Sequence, residues 1–325
     1  VDIGHPAHVH YFKNFIKKMK NKGHEFIITA RDKEMTHYLL NKYNFEYFSR
    51  GKGGNTSLKK ILYILKADIL LFLKALKFKP DLFISFSSIY AAHAAFLYRK
   101  PHIVLDDTEH STKEQKLYLP FSKLVLNPIT FRKDLGTKQI KMQTFFELTY
   151  LHPKYFSPDP SIKEELGLQK DEKYIVLRFI SWGAAHDKKQ YGLSMEDKRK
   201  TIEKLSTFGK IFISSEAELP EEFKPYQLKV APERIHHVLY YASLFFGESG
   251  TMSTEAAILG TPTVRVSTLA KTLGNFQELQ NKYKLLYFYD SGKEGLNKAL
   301  ELINNNKKSL WLRRKDIFIQ NNIDI

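Results

Sequence analysis

The sequence alternates short apolar runs with amphipathic stretches along most of its length, and this alternation constrains the fold more than any other feature. The apolar runs lack the strict polar–apolar alternation of a half-exposed strand, so we expect strands that are covered on both faces. Strands that alternate with helices predict parallel sheets joined by crossovers. In the first half, the predicted strands are residues 25–29, 82–86, 102–106 and 123–126.

Two amphipathic stretches in the first half predict helices at residues 9–22 and 58–76. The second carries apolar residues at helical spacing together with several lysines, and we expect its apolar stripe to face the core. A helix resting on an anionic bilayer is the alternative that the same pattern leaves open. The stripe consists of Leu58, Ile61, Leu62, Leu65, Ile69, Phe72, Leu73 and Leu76.

The segment 128–160 interrupts the rhythm with four prolines and no sustained period, and we interpret it as the linker between two domains. Further predicted strands follow at 174–179, 210–214, 244–247, 263–266 and 285–289, with helices at 195–205, 233–242 and 252–259. We therefore predict an α/β protein with two Rossmann-like, doubly wound parallel-sheet domains facing each other across a cleft. The expected domains are 1–150 and 151–307, with a C-terminal helix at 308–325 that returns to the first domain.

Composition narrows the function classes. The chain of 325 residues has no cysteine, which excludes disulfides, thiolate metal sites and cysteine nucleophiles. The formal net charge of +16 favours anionic partners, but lysines dominate and no arginine-rich run occurs, so we expect no nucleic-acid partner. No apolar stretch approaches the ~20 residues of a membrane span. We expect a cytoplasmic protein, with peripheral contact at the inner membrane face left open.

The most informative motif lies between the predicted strand at 244–247 and the helix that follows. Small residues at Ser249, Gly250 and Thr251 let the backbone approach a ligand, and the N–H groups of a helix start favour a diphosphate. Glu255, about one helical turn later, can accept hydrogen bonds from ribose hydroxyls. The alternative is a capped helix packed on a sheet, with no ligand.

A second motif, Gly4-His5-Pro6-Ala7-His8-Val9-His10, follows the first strand and leads into a helix. A histidine can take a proton near neutral pH, as activation of an acceptor hydroxyl requires. Surface or helix-capping histidines are the alternative interpretation. Three weaker clusters also follow predicted strands or precede a helix: Asp106 to His110, Phe179 to His186, and Arg234-Ile235-His236.

Together these motifs resemble a family of predicted GT-B glycosyltransferases from archaea and bacteria. The resemblance covers nearly the whole chain and rests on the stretch from Gly4 to His10, on Thr-Ala-Arg-Asp-Lys at 29–33, and on Asp-Asp-Thr-Glu-His at 106–110. It implies the GT-B fold and sugar transfer from a nucleotide-linked donor, without a metal cofactor.

More distantly, the chain resembles the N-acetylglucosaminyltransferase of peptidoglycan synthesis. That resemblance implies that His8 faces the reaction centre, that Glu255 binds the ribose and that the backbone of Ile235 reads the base. The loop after the first strand has fewer glycines than in that enzyme. Non-hydrolysing UDP-N-acetylglucosamine 2-epimerases have a turn similar to Ser249–Glu255 of this chain. If this chain were such an enzyme, Asp107 and Glu109 would take the place of the epimerases' catalytic carboxylates.

We therefore expect an inverting, metal-independent glycosyltransferase of surface glycan or glycolipid synthesis. Its partners would be a nucleotide-sugar donor, most simply UDP-linked, and a glycan or lipid-linked acceptor. The candidate catalytic residues are His8, Glu109 and Asp107, and the acceptor-side residues are Gly4, His5 and His10. The candidate donor-binding residues are Ser181, Trp182, Ile235, Ser249, Gly250, Thr251, Met252 and Glu255.

Three alternatives stay open. The first is an epimerase of the same fold. The second is a metal hydrolase with Asp2, His5, His8 and His10 as ligands. The third is a protein that binds a nucleotide without catalysing a reaction.

Overall fold

The computed structural model describes residues 1–54, 56–180, 193–215, 218–268, 270–305 and 307–325. The chain divides into two compact units: residues 1–150 together with 323–325, and residues 151–322. Ser181 and Trp182, two of the candidate donor-binding residues, lie outside the described residues.

The first unit is built on a parallel sheet of seven described strands in the order β3-β2-β1-β4-β5-β6-β7. The order reverses direction between β1 and β4, and such a switch point is where doubly wound sheets bind ligands. The strands are β1 (Asp2–Ile3), β2 (Thr29–Ala30), β3 (Phe48–Ser49), β4 (Phe83–Phe86), β5 (His102–Leu105), β6 (Leu124–Pro128) and β7 (Gln139–Met142).

The helices of the first unit alternate with its strands, as the sequence predicts. They are α1 (Pro6–Lys20), α2 (Thr36–Lys42), α3 (Ser57–Phe78), α4 (Ile89–Leu97), α5 (Thr112–Tyr118) and α6 (Leu148–Leu151). The linker predicted over 128–160 starts too early, because β7 lies within that range and pairs with β6. This edge strand is at most half-buried and has no apolar run to reveal it in the sequence.

The expectation that the apolar stripe of α3 faces the core is also wrong. The buried residues of α3 are Tyr63, Ala67, Leu71 and Ala75, on the opposite side of the helix. Leu71 packs with Ala91 and Ala94 of α4, and small side chains allow this close approach. Seven of the eight stripe residues are exposed, and only Phe72 is half-buried. Among the described residues, no helix is long and apolar enough to cross a membrane.

The second unit contains a parallel sheet of five described strands in the order β12-β11-β10-β8-β9. The order reverses between β8 and β10, so the turn after β10 lies at this sheet's switch point. The strands are β8 (Tyr174–Phe179), β9 (Lys210–Ser215), β10 (Leu244–Gly247), β11 (Thr263–Val266) and β12 (Leu286–Tyr289), which match the predicted positions to within one residue.

Helices of the second unit connect these strands and include the three that the sequence predicts. They are α7 (Ile162–Glu165), α8 (Met195–Ser206), α9 (Ile235–Tyr241), α10 (Gly250–Ile258), α11 (Gly274–Glu278), α12 (Gly292–Asn304) and α13 (Lys308–Gln320). Helix α13 buries Trp311 and Phe318 within the second unit. The last three residues belong to the first unit, where the Ile323 N–H donates to the carbonyl of Gln143 at 2.8 Å.

Candidate functional site

The turn that opens α10 is partly accessible. Its residues Ser249, Gly250, Thr251 and Met252 are half-buried, although β10 before them and the rest of α10 are buried. The Ser249 hydroxyl accepts a hydrogen bond from the Met252 N–H at 3.4 Å and so caps the helix. The positive end of the helix dipole is therefore reachable by an anion at the switch point of the second sheet.

Arg265 adds a fixed cation beside this turn. It is the third residue of β11 and is 6% exposed. Burial lowers the pKa of its guanidinium to about 10, so the group is still charged at neutral pH. Its Nη2 would lie 3.4 Å from a β-carbon placed on Gly250, which locates the charge against the start of α10.

The hydrogen bonding of Arg265 is incomplete. Its Nε donates to the carbonyl of Glu248 and its Nη2 to the Ser267 hydroxyl, both at 3.4 Å. Its Nη1 is buried and has no hydrogen-bond partner among the described residues. The guanidinium stacks 4.2 Å from the ring centroid of Phe276. A buried arginine with an unused donor and no carboxylate within ion-pair distance, as far as the structure is described, has the chemistry of an anion-binding group.

Glu255 lies on the buried side of α10. It is 4% exposed, and its Oε1 lies 3.1 Å from Nε2 of His236 on the neighbouring α9. Ile235, the first residue of α9, is half-buried. The structure therefore places Ile235, His236 and Glu255 on two adjacent helices, and a sugar ring bound at Glu255 would share that carboxylate with the imidazole.

Glu248 positions the backbone beside the turn. It is 5% exposed. Its Oε2 accepts from the Ile180 N–H at 3.0 Å, and its Oε1 accepts from the Leu193 N–H at 2.6 Å. This carboxylate therefore binds to backbone on both sides of residues 181–192.

The first unit has a cavity of about 520 Å³ at the switch point of its own sheet. Gly4 and His8 line it after β1, and Phe86, Ser87 and Ser88 line it at the end of β4. The charged side chains that line it are four cations and two carboxylates: Arg31, Arg50, Lys60, Lys113, Asp2 and Glu114. This balance favours an anionic ligand.

Asp2 and Arg50 form a buried ion pair at the base of this cavity, and each is 2% exposed. Arg50 donates to both carboxylate oxygens of Asp2, at 2.8 and 3.1 Å, and its Nη1 donates to the Tyr63 hydroxyl at 2.7 Å. Thr29 and Ser88 donate to the same carboxylate, at 2.7 and 2.5 Å. Every nitrogen of Arg50 is thus used within the protein, so its role is to position the cavity wall.

His8 is a neutral, half-buried histidine that lines the cavity. Burial and the neighbouring charges of His5, Lys33 and Arg50 hold its pKa well below 6.5. Its Nδ1 accepts a hydrogen bond from the Gly4 N–H at 3.3 Å. In that tautomer the proton is on Nε2, so His8 presents a donor; to present a base at Nε2 it must give up the long bond to Gly4.

The other two histidines of the first motif are not at the cavity. His5 caps α1, and its Nδ1 accepts from the Ala7 N–H at 3.2 Å. His10 is buried and stacks on Tyr150, with ring centroids 5.2 Å apart. His5 and His10 therefore do not line this cavity, and their place on the acceptor side stays a prediction. Among the described residues, no group of three or more histidines and carboxylates is arranged to hold a metal ion.

The cluster after β5 contains carboxyl groups in different environments. Asp106 is fully buried and accepts hydrogen bonds from Gln115 and Tyr118. Asp107 is half-buried, and burial together with the charge of Asp106 raises its pKa to about 7. Glu109 accepts from the backbone N–H of Arg132 at 3.3 Å. Asp107 is therefore a carboxyl group that can exchange a proton near neutral pH.

Sequence reasoning missed the three arginines that define the charge of both sites. Arg31 and Arg50 each follow a two-residue strand of the first sheet. Arg265 lies within an apolar strand, and arginine is rarely buried unless it is paired or has a function. That position was the available signal, because the core of a covered parallel sheet rarely contains a charged residue.

The solved structures to which this chain is similar are GT-B enzymes. The UDP-GlcNAc 2-epimerase of Methanocaldococcus jannaschii matches with a TM-score of 0.68 and 14% identity, over 94% of this chain and 92% of that one. Another structure of that enzyme is in complex with UDP-GlcNAc and UDP. The glycosyltransferase MurG of Acinetobacter baumannii matches with a TM-score of 0.58 and 14% identity, over 99% and 96%. The chain therefore has the GT-B fold, with two Rossmann-like parallel sheets, as predicted.

Sequence relatives lead to a family. A protein of Methanocaldococcus jannaschii described as "Uncharacterized protein MJ0665" is 29% identical over 278 residues, which are 81% of this chain and 80% of that protein. The family model described as "Protein of unknown function (DUF354)" matches residues 1–322 of the 325. The chain is a member of the DUF354 family.

Proposed function

We propose that this protein is a glycosyltransferase that moves a sugar from a UDP-linked donor to a hydroxyl acceptor. The proposal places the donor on the second unit, at the turn from Ser249 to Met252, and the acceptor on the first unit, at the cavity beside His8. The observation that carries it is Arg265, a buried guanidinium with an unused donor against the start of α10.

The donor diphosphate meets two positive features at this turn. The helix start supplies backbone N–H groups, and Arg265 supplies a cation whose remaining donor needs an acceptor. As the bond between the anomeric carbon and the diphosphate breaks, negative charge grows on the leaving oxygen. Fixed cations and dipoles in a buried setting stabilise such charge without reorganising. In this scheme Arg265 and α10 offset that charge, and the reaction continues after removal of divalent metal.

The acceptor hydroxyl attacks the anomeric carbon from the opposite side, so a single displacement inverts the configuration. The new C–O bond forms as the bond to UDP breaks, and the hydroxyl proton passes to a protein base. Two groups suit that step. His8 lines the cavity as a neutral imidazole, and Asp107, with a pKa of about 7, follows a strand of the same sheet.

Calorimetric titration with UDP and with uridine tests the donor site. The Arg265→Gln variant should bind UDP about 10–100-fold more weakly and uridine with unchanged affinity, because only UDP has the diphosphate. Arg199→Gln is the matched control, since Arg199 is an exposed arginine of the same unit that pairs with Glu222. The donor-site proposal fails if UDP does not bind, or if both variants bind it like the unaltered protein.

One observation favours a second candidate, an epimerase acting on UDP-GlcNAc. Asp106, Asp107 and Glu109 lie close together in the chain, and the raised pKa of Asp107 suits removal and return of a proton on a sugar carbon. Incubation with UDP-GlcNAc in D₂O separates the two candidates. Deuterium at C2 together with a UDP-linked epimer indicates epimerisation, and UDP release that depends on an added acceptor indicates transfer.

A further inference from the structure

The cavity at the switch point of the first sheet contains a second arginine, Arg31, with a buried donor that no described residue uses. Arg31 follows β2 and lines the cavity beside Arg50. Its Nε is buried and has no hydrogen-bond partner among the described residues. Tyr63 lies between the two arginines, with each guanidinium carbon 5.9 Å from its ring centroid. Arg50 uses every nitrogen in hydrogen bonds to Asp2, Tyr63 and Ile3, whereas the Nε of Arg31 donates to no described residue.

The backbone makes room for Arg31. A β-carbon on Gly53 would lie 2.2 Å from Nη2 of Arg31, so only glycine leaves the guanidinium in its place. Lys60 of α3 and Lys113 of α5 line the same cavity. Arg31 and the two lysines are three cations outside the Asp2–Arg50 pair, and Glu114 is the one carboxylate of the described lining outside that pair.

We infer that Arg31 is the centre of a second anion site, which binds a phosphoryl group of the acceptor. A guanidinium that lines a half-enclosed cavity, with a buried donor that no described residue uses, suits the tetrahedral oxygens of a phosphate. Only the identification of the ligand as the acceptor rests on the proposed function. The anion site itself does not, because the cavity and its charges belong to the first unit alone.

Titration with inorganic pyrophosphate in the Arg265→Gln background tests this site, since that background disables the donor turn of the second unit. Binding should persist in Arg265→Gln and weaken at least tenfold when Arg31→Gln is added. Gly53→Ala should weaken it as well, by displacing the guanidinium. Lys18→Gln, which removes an exposed charge of the same unit, is the control for net charge.

Two results would overturn the site at Arg31. If Arg265→Gln alone abolishes pyrophosphate binding, the anion binds at the donor turn and the proposed function stands without this site. If Arg31→Gln and Lys18→Gln have equal effects, the binding reflects net charge only. Thermal unfolding of each variant shows whether the fold is retained.

A separate observation concerns the outward face of α3. Seven apolar residues are between 48% and 67% exposed: Leu58, Ile61, Leu62, Leu65, Ile69, Leu73 and Leu76. At about 100° per residue they fall within an arc of about 120°. Soluble monomers rarely expose so continuous an apolar surface without a partner.

The lysines beside this apolar face indicate what kind of partner it binds. Helix α3 carries five lysines and one acidic residue, Asp68, which is occupied by His93 at 2.9 Å. Lys59, Lys66 and Lys77 project along one flank of the apolar arc by the same helical geometry. An apolar stripe flanked by lysines fits the interface of an anionic bilayer, where the stripe enters the acyl boundary and the ammonium groups meet phosphates.

We propose that α3 docks this protein on an anionic membrane surface. The same helix supplies Lys60, Tyr63 and Ile64 to the cavity of Arg31 from the side opposite the exposed stripe, so docking leaves that cavity uncovered. Co-sedimentation with vesicles of phosphatidylglycerol and phosphatidylcholine, compared with phosphatidylcholine alone, measures the binding. Binding should require the anionic lipid and weaken at least tenfold when salt rises from 50 to about 500 mM.

The variant Leu65→Gln, Leu73→Gln should reduce the bound fraction at least tenfold. Leu310→Gln, Ile317→Gln is the matched control, because it replaces two exposed apolar residues of α13. Absence of vesicle binding at low salt would overturn the proposal. So would sedimentation equilibrium that shows a dimer abolished by the α3 variant, because the face would then be covered by a second copy.

Discussion

Arg50 grips both carboxylate oxygens of Asp2 across 48 residues of sequence, and each side chain is 2% exposed. The pair joins β1 to the residue after β3, and Ser88 extends the network to the start of α4. Removing one member leaves the other as a buried, uncompensated charge. Such a change costs much more than the loss of a surface pair.

We therefore expect Arg50→Met to destabilise the first unit by about 3–5 kcal/mol. Urea denaturation followed by circular dichroism measures the effect. Asp81→Asn, which breaks the exposed pair with Lys100, should cost at most about 1 kcal/mol. The double variant Asp2→Asn, Arg50→Met should recover part of the loss, and strict additivity of the two changes would contradict the pairing.

The raised pKa of Asp107 predicts a pH-dependent stability. In the folded state the carboxyl holds its proton up to about pH 7, against 3.8 in the unfolded chain. The folded state thus binds more protons between these values, and its contribution to stability falls as pH rises through that window. Asp107→Asn removes this loss. The Tm of the variant minus the Tm of the unaltered protein should therefore be larger at pH 8 than at pH 5. An equal difference at both pH values would show that Asp107 titrates normally.

His8 and Asp107 can be distinguished as proton acceptors by the pH dependence of turnover. If Asp107 is the base, kcat should fall below pH 7 and this limb should disappear in Asp107→Asn. If His8 is the base, the limb should lie well below pH 6.5, since its pKa is lowered. In that second case His8→Ala should reduce turnover by ~10²–10⁴-fold with UDP affinity unchanged. Normal turnover in that variant would remove His8 from the reaction centre.

Glu255 is expected to bind the ribose of the donor. Glu255→Gln should weaken UDP binding by about tenfold, because a carboxylate is the stronger acceptor for sugar hydroxyls. The affinity ratio of UDP to 2′-deoxy-UDP should fall towards 1 in the same variant. Calorimetry with the two nucleotides gives that ratio. A ratio that the substitution does not alter would mean that Glu255 serves only to hold His236 at 3.1 Å.

Gly250 is expected to matter for ligand access more than for folding. An added β-carbon would lie 3.4 Å from Nη2 of Arg265 and 3.6 Å from Cζ of Phe276, which is close but not a clash. Gly250→Ala should therefore change stability by no more than about 1 kcal/mol. It should nevertheless lower UDP affinity, because the methyl group covers the guanidinium. Thermal unfolding and UDP titration of the same preparation test the expected stability and the expected affinity.

The three central strands of the second unit, β8, β10 and β11, were predictable because they are buried along nearly their whole length. Runs such as Leu244 to Gly247 are buried at every position, so continuous apolarity marks them with little ambiguity. The short strands of the first unit were harder, since β1, β2 and β3 have two residues each. The turn before α10 was predictable from its small residues. The place of Arg265 in an apolar strand was visible in the sequence, but its contacts with Gly250 and Phe276 were not, because they depend on how the loops after β10 and β11 fold.

The sequence did not predict which side of α3 packs against the rest of the first unit. Its periodicity identified the helix but not the side that packs, because the long apolar side chains gave a stronger pattern than the small ones. The contact with α4 is made instead through a side rich in small residues, where Ala67 and Ala75 are buried. Close packing between helices selects small side chains, and hydrophobicity alone does not rank them first.

An enzyme held by α3 on a bilayer would meet its acceptor by diffusion in a plane instead of through a volume. Confinement to a thin layer raises the effective concentration of both reactants without any gain in intrinsic affinity. A cavity for a single phosphoryl group can then be shallow and weakly binding and still be occupied. The outward face of one helix would in this way determine the occupancy of the acceptor site.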